Sequence, residues 1–516
     1  MRILLATGRK TEGMVKDAVR TTNLAHIDCD VLTQDLNIAA FSTPKSLRTA
    51  LKKHSISKKL DYDLILVSGL CKADFCGLEK EIATPIRLGP RHAYDIGEAL
   101  KFAEEIEFSS LIPADVFLKE KRKESAKKQL YALERSVKEK FKIKGVKIGG
   151  GARMKVCAEI VDATRMTEEE IHRRMEHFLK SGADIIDLGV HVGATLEEVK
   201  KAVKAASSFA SDVPLSVDTL DAELILAGIE TGADIVLSLN KKNIPEVCDE
   251  MEGKDIAAVV IPDFDAGGKR EGNNSESLFA NMKMAKEHGI KNIIADPVLN
   301  AVGYGIAESL YNYYHFRLQD KSTPLFFGVG NVTELIDADS GGVNATLAGI
   351  ASELNADVLF TPEYSDKARG SVRELRIASE MMALAKARKS APKDVGLDLL
   401  MLKEKRRKPI MRIHDKESIV AKENAKWRLD PKGCFSIGIC ELEGENMIYA
   451  KHSPTGKRIV GRSAKGIMDT ILRLDMVSLH EHASYLSKEL TKAELALRLD
   501  RGYEQDEEFC GINSKH

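Results

Sequence analysis

The sequence predicts an α/β protein: a central (β/α)8 barrel, an N-terminal Rossmann-like α/β domain and a small C-terminal α+β domain. Two observations predict this. Between about 151 and 390, short apolar runs alternate eight times with amphipathic helical stretches, which is the size and rhythm of a barrel. The flanking stretches have strand and helix patterns of their own, and 516 residues favour two to four domains. The predicted segments are 1–118 (α/β domain), 119–150 (charged helical linker), 151–390 (barrel), 391–412 (linker) and 413–516 (α+β domain).

The composition excludes several classes of protein. A formal net charge of −1 argues against a dedicated nucleic-acid or membrane-surface binder. No apolar run approaches the roughly 18–20 residues that a membrane-spanning helix needs. Eight cysteines without a CxxC pair predict reduced thiols, and we therefore expect a cytoplasmic protein.

The first 118 residues read as a doubly wound α/β unit. The runs RILLATG (2–8) and YDLILVSG (62–69) each end in a glycine turn, and TPIRLGPRHAYDIGEAL (84–100) fits a third strand, a loop and a helix start. Strands alternating with helical stretches predict a parallel sheet. The turn ATGRKTEG is not GxGxxG, so a simple strand–loop–helix corner is favoured over a nucleotide site. Residues 119–145 are highly charged and predict a solvated linker helix.

Eight strand-like runs define the predicted barrel. They lie at 156–161, 184–188, 213–217, 234–238, 256–261, 292–295, 325–328 and 357–360. An open doubly wound sheet is the competing interpretation, but eight units joined by short loops favour closure.

Polar residues follow six of these runs, and one lies near the end of the second run, at the end of a barrel where functional residues lie. They are Asp162, Asp187, Asp218, Asn240, Asp263 with Asp265, Asp296 and Asn331. Any one of them could simply cap the following helix. Capping does not require acids and amides on nearly every strand, so the whole ring predicts a ligand.

The ring suits a heterocycle rich in N–H donors. A ring N–H beside an exocyclic amine gives a carboxylate two parallel hydrogen bonds, and a pterin has that edge. The scarcity of Cys and His near the strand ends argues against zinc. Clustered aspartates could hold Mg²⁺, but Mg²⁺ sites use one or two carboxylates with phosphate and water, which favours the heterocycle; Asp162 is kept as a possible magnesium ligand.

Two groups of basic and hydroxyl residues are candidates for an anion. Lys367, Arg369 and Ser371 stand between the eighth strand and its helix, where barrels commonly bind phosphate. Lys269 and Arg270 lie in a long glycine-rich loop after the fifth strand, which could close over a diphosphate. Ordinary capping and an ordinary surface loop are the competing interpretations.

The barrel segment resembles the pterin-binding barrels, which include dihydropteroate synthase and the corrinoid methyltransferases that use methyltetrahydrofolate. Five stretches carry the resemblance: GADIIDLG (182–189), PLSVDT (214–219), GADIVLSLN (232–240), ADPVLNAVGYG (295–305) and GVGN (328–331). It implies that Asp218, Asn240 and Asp296 line a pterin pocket. The whole chain further resembles an archaeal dihydropteroate synthase-related family that occurs where methanopterin replaces folate.

The resemblance implies a transferase that joins hydroxymethyl-dihydropterin diphosphate to an arylamine, expected to be ribofuranosyl-aminobenzene phosphate, in tetrahydromethanopterin biosynthesis. Magnesium and a reduced pterin would be its cofactor and substrate, and barrels of this type are commonly homodimers. The synthases carry Ser-Arg-Lys after the seventh strand, whereas this chain reads GVGNVTE. Asn331 is closer to the methyltransferase pattern, an alternative that needs a corrinoid protein as partner. A non-catalytic pterin-binding protein is the third alternative.

Overall fold

The chain divides into two units, Met1–Arg407 and Lys408–His516, which are described separately. The computed structural model describes residues 1–22, 26–54, 62–264, 274–402, 419, 421–422, 428–507 and 509. Among these residues no helix is both long enough and apolar enough to cross a lipid bilayer.

The first unit begins with a parallel sheet in the order β2-β1-β3-β4. Its elements are β1 (Arg2–Gly8), α1 (Glu12–Thr21), β2 (Asp28–Gln34), α2 (Pro44–Lys53), β3 (Leu64–Val67), α3 (Cys76–Ile82), β4 (Ile86–Leu88) and α4 (Ile96–Lys101). Separate apolar clusters cover the two faces of the sheet, so the predicted doubly wound arrangement is confirmed. The edge strand β2 escapes prediction because its partly exposed DCDVLTQ sequence has acids at the first and third positions.

The predicted helical linker is correct only in its first part. Helix α5 (Ala114–Ser136) is followed by a hairpin of β5 (Phe141–Ile143) and β6 (Val146–Ile148). Lys144 and Gly145 both have positive φ, 43° and 84°, as a two-residue hairpin turn requires. Ile143 and Ile148 are buried in the interior of the barrel, so the prediction of a solvated helix reaching residue 145 is wrong.

The barrel consists of eight strand–helix pairs, as predicted. They are β7 (Lys155–Ile160), α6 (Glu168–Ser181), β8 (Ile185–Gly189), α7 (Leu196–Phe209), β9 (Leu215–Asp218), α8 (Ala222–Thr231), β10 (Ile235–Leu239), α9 (Ile244–Met251), β11 (Ala257–Val260), α10 (Asn274–Glu287), β12 (Asn292–Ala295), α11 (Ile306–Gln319), β13 (Phe326–Gly328) with the short α12 (Gly330–Thr333), α13 (Ser340–Glu353), β14 (Val358–Thr361) and α14 (Ser371–Arg388). All neighbouring strands pair in parallel, and a bridge from Ala295 to Leu325 joins β12 to β13 and closes the sheet.

The interior of the barrel changes character along its axis. At the amino ends of the strands the hairpin packs on an apolar layer that includes Ile235, Ile294 and Phe326. The outer face of the strands packs on the helices in a large apolar cluster. Alternate residues of a strand point to opposite faces, so the inward positions nearer the carboxyl ends are left for polar groups.

The segment after the barrel, predicted as a linker over 391–412, first packs back on the first unit. Val395 and Leu397 are buried against Ala126 of α5 and Leu384 of α14. The rest of that segment from residue 403 lies outside the described residues.

The second unit is the small α+β domain that the sequence predicts. Strands β15 (Cys434–Leu442), β16 (Glu445–Ser453) and β17 (Arg458–Gly461) form an antiparallel sheet. Helices α15 (Ala464–Arg473) and α16 (His480–Arg498) bury one face of that sheet in a shared apolar core.

Candidate functional site

Three carboxylates from neighbouring strands converge inside the carboxyl end of the barrel. They belong to Glu159 of β7, Asp187 of β8 and Asp218 of β9, and one oxygen of each lies within 4.8 Å of the other two. The strand register explains the convergence, because Glu159 pairs with Asp187, and Asp218 pairs with Gly189. We call these three residues the acid cluster.

The acid cluster receives little hydrogen bonding. Asp187 is fully buried, and its Oδ1 accepts a hydrogen bond from the hydroxyl of Ser216. The other oxygen of Asp187 is buried and has no hydrogen-bond partner in the described part of the chain.

These surroundings favour the protonated acids. Burial raises the pKa of Glu159 to about 8, with the negative charges of Asp218 and Asp162 adding to the effect. Burial raises the pKa of Asp218 to about 6. Burial, Asp218 and Glu159 together raise the pKa of Asp187 well above its ordinary value. The cluster therefore retains protons near neutral pH unless a cation or a hydrogen-bond donor neutralises it.

Gly189 makes room for the Glu159 carboxylate. A Cβ at this position would lie 2.6 Å from Glu159 Oε1, closer than real Cβ atoms approach another heavy atom. Because Gly189 has no side chain, the Glu159 carboxylate of the adjacent strand can occupy the space where a Cβ would lie.

Asp296, directly after β12, is held in a fixed orientation. Its Oδ1 accepts hydrogen bonds from the backbone N–H of Val298 at 2.7 Å and from the hydroxyl of Tyr313 at 2.6 Å. Val298 has a φ of 65°, an unusual conformation for a β-branched residue. The strained turn after Pro297 therefore brings a backbone donor to the carboxylate.

Asn240 and Asn331 organise the loops on either side. Asn240 is buried, and its Oδ1 accepts a hydrogen bond from the N–H of Lys242 at 2.9 Å. Asn331 is exposed, and its Nδ2 donates to the carbonyl oxygen of Leu299 at 2.9 Å, which ties the end of β13 to the loop that follows Asp296.

The remaining acids of the predicted ring differ in setting. Asp162 follows β7 in a left-handed conformation (φ 52°), and its carboxylate lies 3.3 Å from Arg165 Nη1. Asp263, after β11, is buried and accepts a hydrogen bond from Asn281 Nδ2 at 3.1 Å. Asp265 lies outside the described residues.

The predicted anion site at the start of α14 is not formed as expected. Ser371 is fully buried, and its Oγ accepts a hydrogen bond from Asn344. Glu363 Oε2 accepts the N–H of Val372 at 3.0 Å, so a carboxylate of the chain holds the helix terminus that a phosphate would use. Ser371 is therefore bonded within the chain, and its role as an anion ligand stays a prediction.

The basic residues of the two predicted anion groups differ in whether the structure describes them. Lys367 forms an ion pair with Asp337 at 2.7 Å, and Arg369 is exposed. Lys269 and Arg270 lie outside the described residues, and their predicted role stays a prediction.

Two residues of this end of the barrel escape the sequence analysis. Glu159 is missed because it lies further from the end of its run, 156–161, than Asp187 does in 184–188, although an acid within the run VCAEIV is a usable signal. Lys241, after β10, places its Nζ 3.2 Å from Asp263 Oδ2. It supplies a cation at the strand ends, but from β10 and not from β13.

Comparison with known proteins agrees with this geometry. A family model described as "Pterin binding enzyme" matches residues 160–336, and a second, PterinBD-DUF4346, matches residues 429–506. The barrel is thus of the pterin-binding class.

A relative extends the match to the whole chain. The protein named Uncharacterized protein MJ0107 of Methanocaldococcus jannaschii is 37% identical, over 98% of this chain and 98% of its own length. The chain belongs to the same archaeal family of dihydropteroate synthase-related proteins, with a pterin-binding barrel between additional N- and C-terminal domains.

Solved structures of dihydropteroate synthases are similar to the barrel portion. The Thermus thermophilus enzyme in complex with 6HMPPP is 20% identical, covering 46% of this chain and 95% of that chain, with a TM-score of 0.36. The Yersinia pestis enzyme in a sulfonamide drug complex is 16% identical, covering 48% and 99%, with a TM-score of 0.39.

Proposed function

We propose that the barrel binds a reduced pterin and joins hydroxymethyl-dihydropterin diphosphate to an arylamine in tetrahydromethanopterin biosynthesis. The proposed amine is ribofuranosyl-aminobenzene phosphate. The observation that carries the proposal is the fixed carboxylate of Asp296, at the same end of the barrel as Asp218, Asn240 and Asn331. The match to the pterin-binding enzyme model supports it.

Asp296 is suited to hold the amino-pyrimidine edge of the pterin. The N–H of Val298 and the hydroxyl of Tyr313 fix its Oδ1, so the carboxylate does not have to be ordered when the ligand binds. A ring N–H and an exocyclic amine can then donate two parallel hydrogen bonds to it. Hydrogen bonds to a charged group contribute about 1.5–3 kcal/mol each.

The amides and Asp218 complete the proposed pocket. Asp218 stands on β9 beside β10, whose end carries Asn240, and can accept from a further ring N–H. Asn331 comes from the opposite wall. An amide both donates and accepts, which suits the mixed edge of a pterin ring.

The proposed reaction breaks the bond between the pterin methylene carbon and the diphosphate oxygen and forms a carbon–nitrogen bond to the arylamine. The diphosphate leaves with the bonding electron pair, and the amine loses a proton. Lys241 is the described basic residue that we propose to face the leaving diphosphate, in place of the missing lysine after β13. Bound Mg²⁺, for which Asp162 remains a candidate ligand, would neutralise further negative charge on that group.

A methyl transfer from a methylated pterin to a corrinoid protein is the second candidate function. Asn331 favours this function, because it follows β13 in a segment where the synthases carry basic residues and this chain has none. A pterin-binding protein without catalytic activity is the third.

Calorimetric titration with hydroxymethyl-dihydropterin tests the binding step. We expect the natural chain to bind and Asp296→Asn to bind at least about tenfold more weakly, because the amide accepts fewer of the ring N–H groups. Asp357→Asn is the matched control: Asp357 is a buried acid of the same barrel, at the amino end of β14, where it accepts the N–H of Leu325 at 3.0 Å.

Product assays then separate the candidate functions. Release of pyrophosphate from the pterin diphosphate, dependent on the arylamine, supports the synthase. Corrinoid-dependent methyl transfer supports the second function, and pterin binding without either activity supports the third. If the natural chain binds no pterin, or if Asp296→Asn binds as tightly, the proposal is wrong.

A further inference from the structure

When its three acids are ionised, the acid cluster has more negative charge than the described part of the chain neutralises. Its three carboxylates have six oxygens. Within the described residues, the only hydrogen bond to these oxygens is the one that Ser216 donates to Asp187, and no ion pair reaches any of them. Buried carboxylates normally have cationic or hydrogen-bonding partners, since burial of an unpaired charge is strongly unfavourable.

The fully buried Asp187 points to a ligand of a particular kind. Its Oδ2 has no partner in the described part of the chain, while Ser216 holds its other oxygen. Gly189 of β8 pairs with Asp218 of β9. Asp187 lies two residues before Gly189 on the same strand, so it is deeper in the barrel than Asp218. A small ligand is needed to satisfy a group at this depth together with the two acids beside it.

A bound pterin would leave part of this charge unmatched. Its guanidine-like edge suits one carboxylate, and we have assigned that edge to Asp296. A further ring N–H can reach Asp218, but Glu159 and Asp187 then still lack donors. One oxygen of each of the three acids lies within 4.8 Å of the other two, close enough for the acids to share one metal ion.

We propose that Glu159, Asp187 and Asp218 together bind one divalent cation. Carboxylate oxygens are hard ligands, so the cation is of the Mg²⁺ or Mn²⁺ class rather than zinc or copper. Gly189 preserves the position of Glu159 in this site, and Ser216 orients Asp187. The site differs from a magnesium site at Asp162, and it does not depend on pterin binding.

Titration of the full-length, metal-free protein with Mn²⁺, in the absence of pterin, tests the proposal. Free Mn²⁺ has a six-line electron paramagnetic resonance spectrum that is lost on binding, so the stoichiometry can be read directly. We expect one ion per natural chain, competition by Mg²⁺, and a rise in melting temperature on adding either ion. Asp187→Asn should weaken binding at least about tenfold, and Asp357→Asn should bind as the natural chain does.

Glu159→Gln provides a second variant if Asp187→Asn does not fold, because Glu159 is only partly buried. It should also weaken binding at least about tenfold. The proposal is wrong if the natural chain takes up no Mn²⁺ at millimolar concentration, or if either folded variant keeps full affinity. In those cases protons or an organic ligand neutralise the cluster. Pterin binding without Mn²⁺ binding would leave the proposed function standing and overturn this inference alone.

Discussion

The two ends of the barrel treat buried charge in opposite ways. At the amino end, Asp184 lies 2.6 Å from Arg153 Nη2 and also accepts the N–H of Val156, and Lys155 forms an ion pair with Glu134. At the carboxyl end, Asp187 and its two neighbours have no cation beside them in the described part of the chain. The first arrangement stabilises the fold, whereas the second leaves groups available to a ligand.

The pKa values of Asp184 and Asp187 follow the same division. Burial alone would raise the pKa of Asp184, but Arg153 and Arg376 hold it below its ordinary value. Burial without such cations raises the pKa of Asp187 well above its ordinary value. The pKa values of these two aspartates, three residues apart in the chain, therefore differ because only Asp184 has cationic partners.

The largest expected effect comes from breaking the paired end. Arg153→Met removes the cation from Asp184 and leaves a buried acid without its main partner, so we expect the free energy of unfolding to fall by about 3–5 kcal/mol. Urea denaturation measures this change. Adding Asp184→Asn to the same chain should restore part of the loss, and a double variant no more stable than Arg153→Met would contradict the pairing argument.

At the carboxyl end, where the acids have no cationic partner, we expect that removing a charge stabilises the folded chain. In metal-free protein the folded state holds protons on Glu159 (pKa about 8) and Asp218 (pKa about 6), which the unfolded state releases near pH 4. The folded state thus binds more protons between about pH 4 and 8, and its stability must fall as pH rises through this window. The slope is at most about 1.4 kcal/mol per pH unit for each retained proton.

Urea denaturation at pH 5 and pH 8, in the presence of a chelator, measures that slope. Glu159→Gln, which cannot ionise, should flatten it and should be more stable than the natural chain at pH 8. A natural chain whose stability is constant or rises over this range would show that other groups neutralise the acid cluster.

The smallest expected effect concerns Asp296, the acid at the carboxyl end with a well-defined set of donors. Tyr313→Phe removes one of them, so we expect a loss of about 1 kcal/mol in stability and a several-fold weaker affinity for reduced pterin. Calorimetry and thermal denaturation measure the two quantities. Tyr311→Phe, an exposed position on the same helix, is the control and should leave both unchanged.

All eight barrel strands are predictable from the sequence because parallel strands buried on both faces leave apolar runs of characteristic length. The hairpin β5–β6 is not, since lysines at 142, 144 and 147 alternate with the few apolar residues that enter the barrel. Hydrophobic periodicity is least informative in such short, charged segments.

The site is recovered only in part, and for two physical reasons. Glu159 is missed because it lies inside an otherwise apolar run, whereas its inward-facing position beside Asp187 reaches the same space. The surroundings of Ser371 are not predictable because no local pattern shows that Glu363, folding back from the end of β14, hydrogen-bonds to the N-terminus of α14. Contacts of this kind depend on tertiary structure.

The hairpin that fills the amino end of the barrel also bears on how the protein is synthesised. A ribosome releases Ile143 and Ile148 before any barrel strand, yet their burial requires strands as late as β14, which ends at Thr361. Proteins emerge from the N-terminus onward, so these apolar residues stay uncovered until nearly the whole barrel has been translated. The apolar layer at the amino end of the barrel is therefore completed last. The hairpin β5–β6 is the segment that chaperones would have to protect during translation.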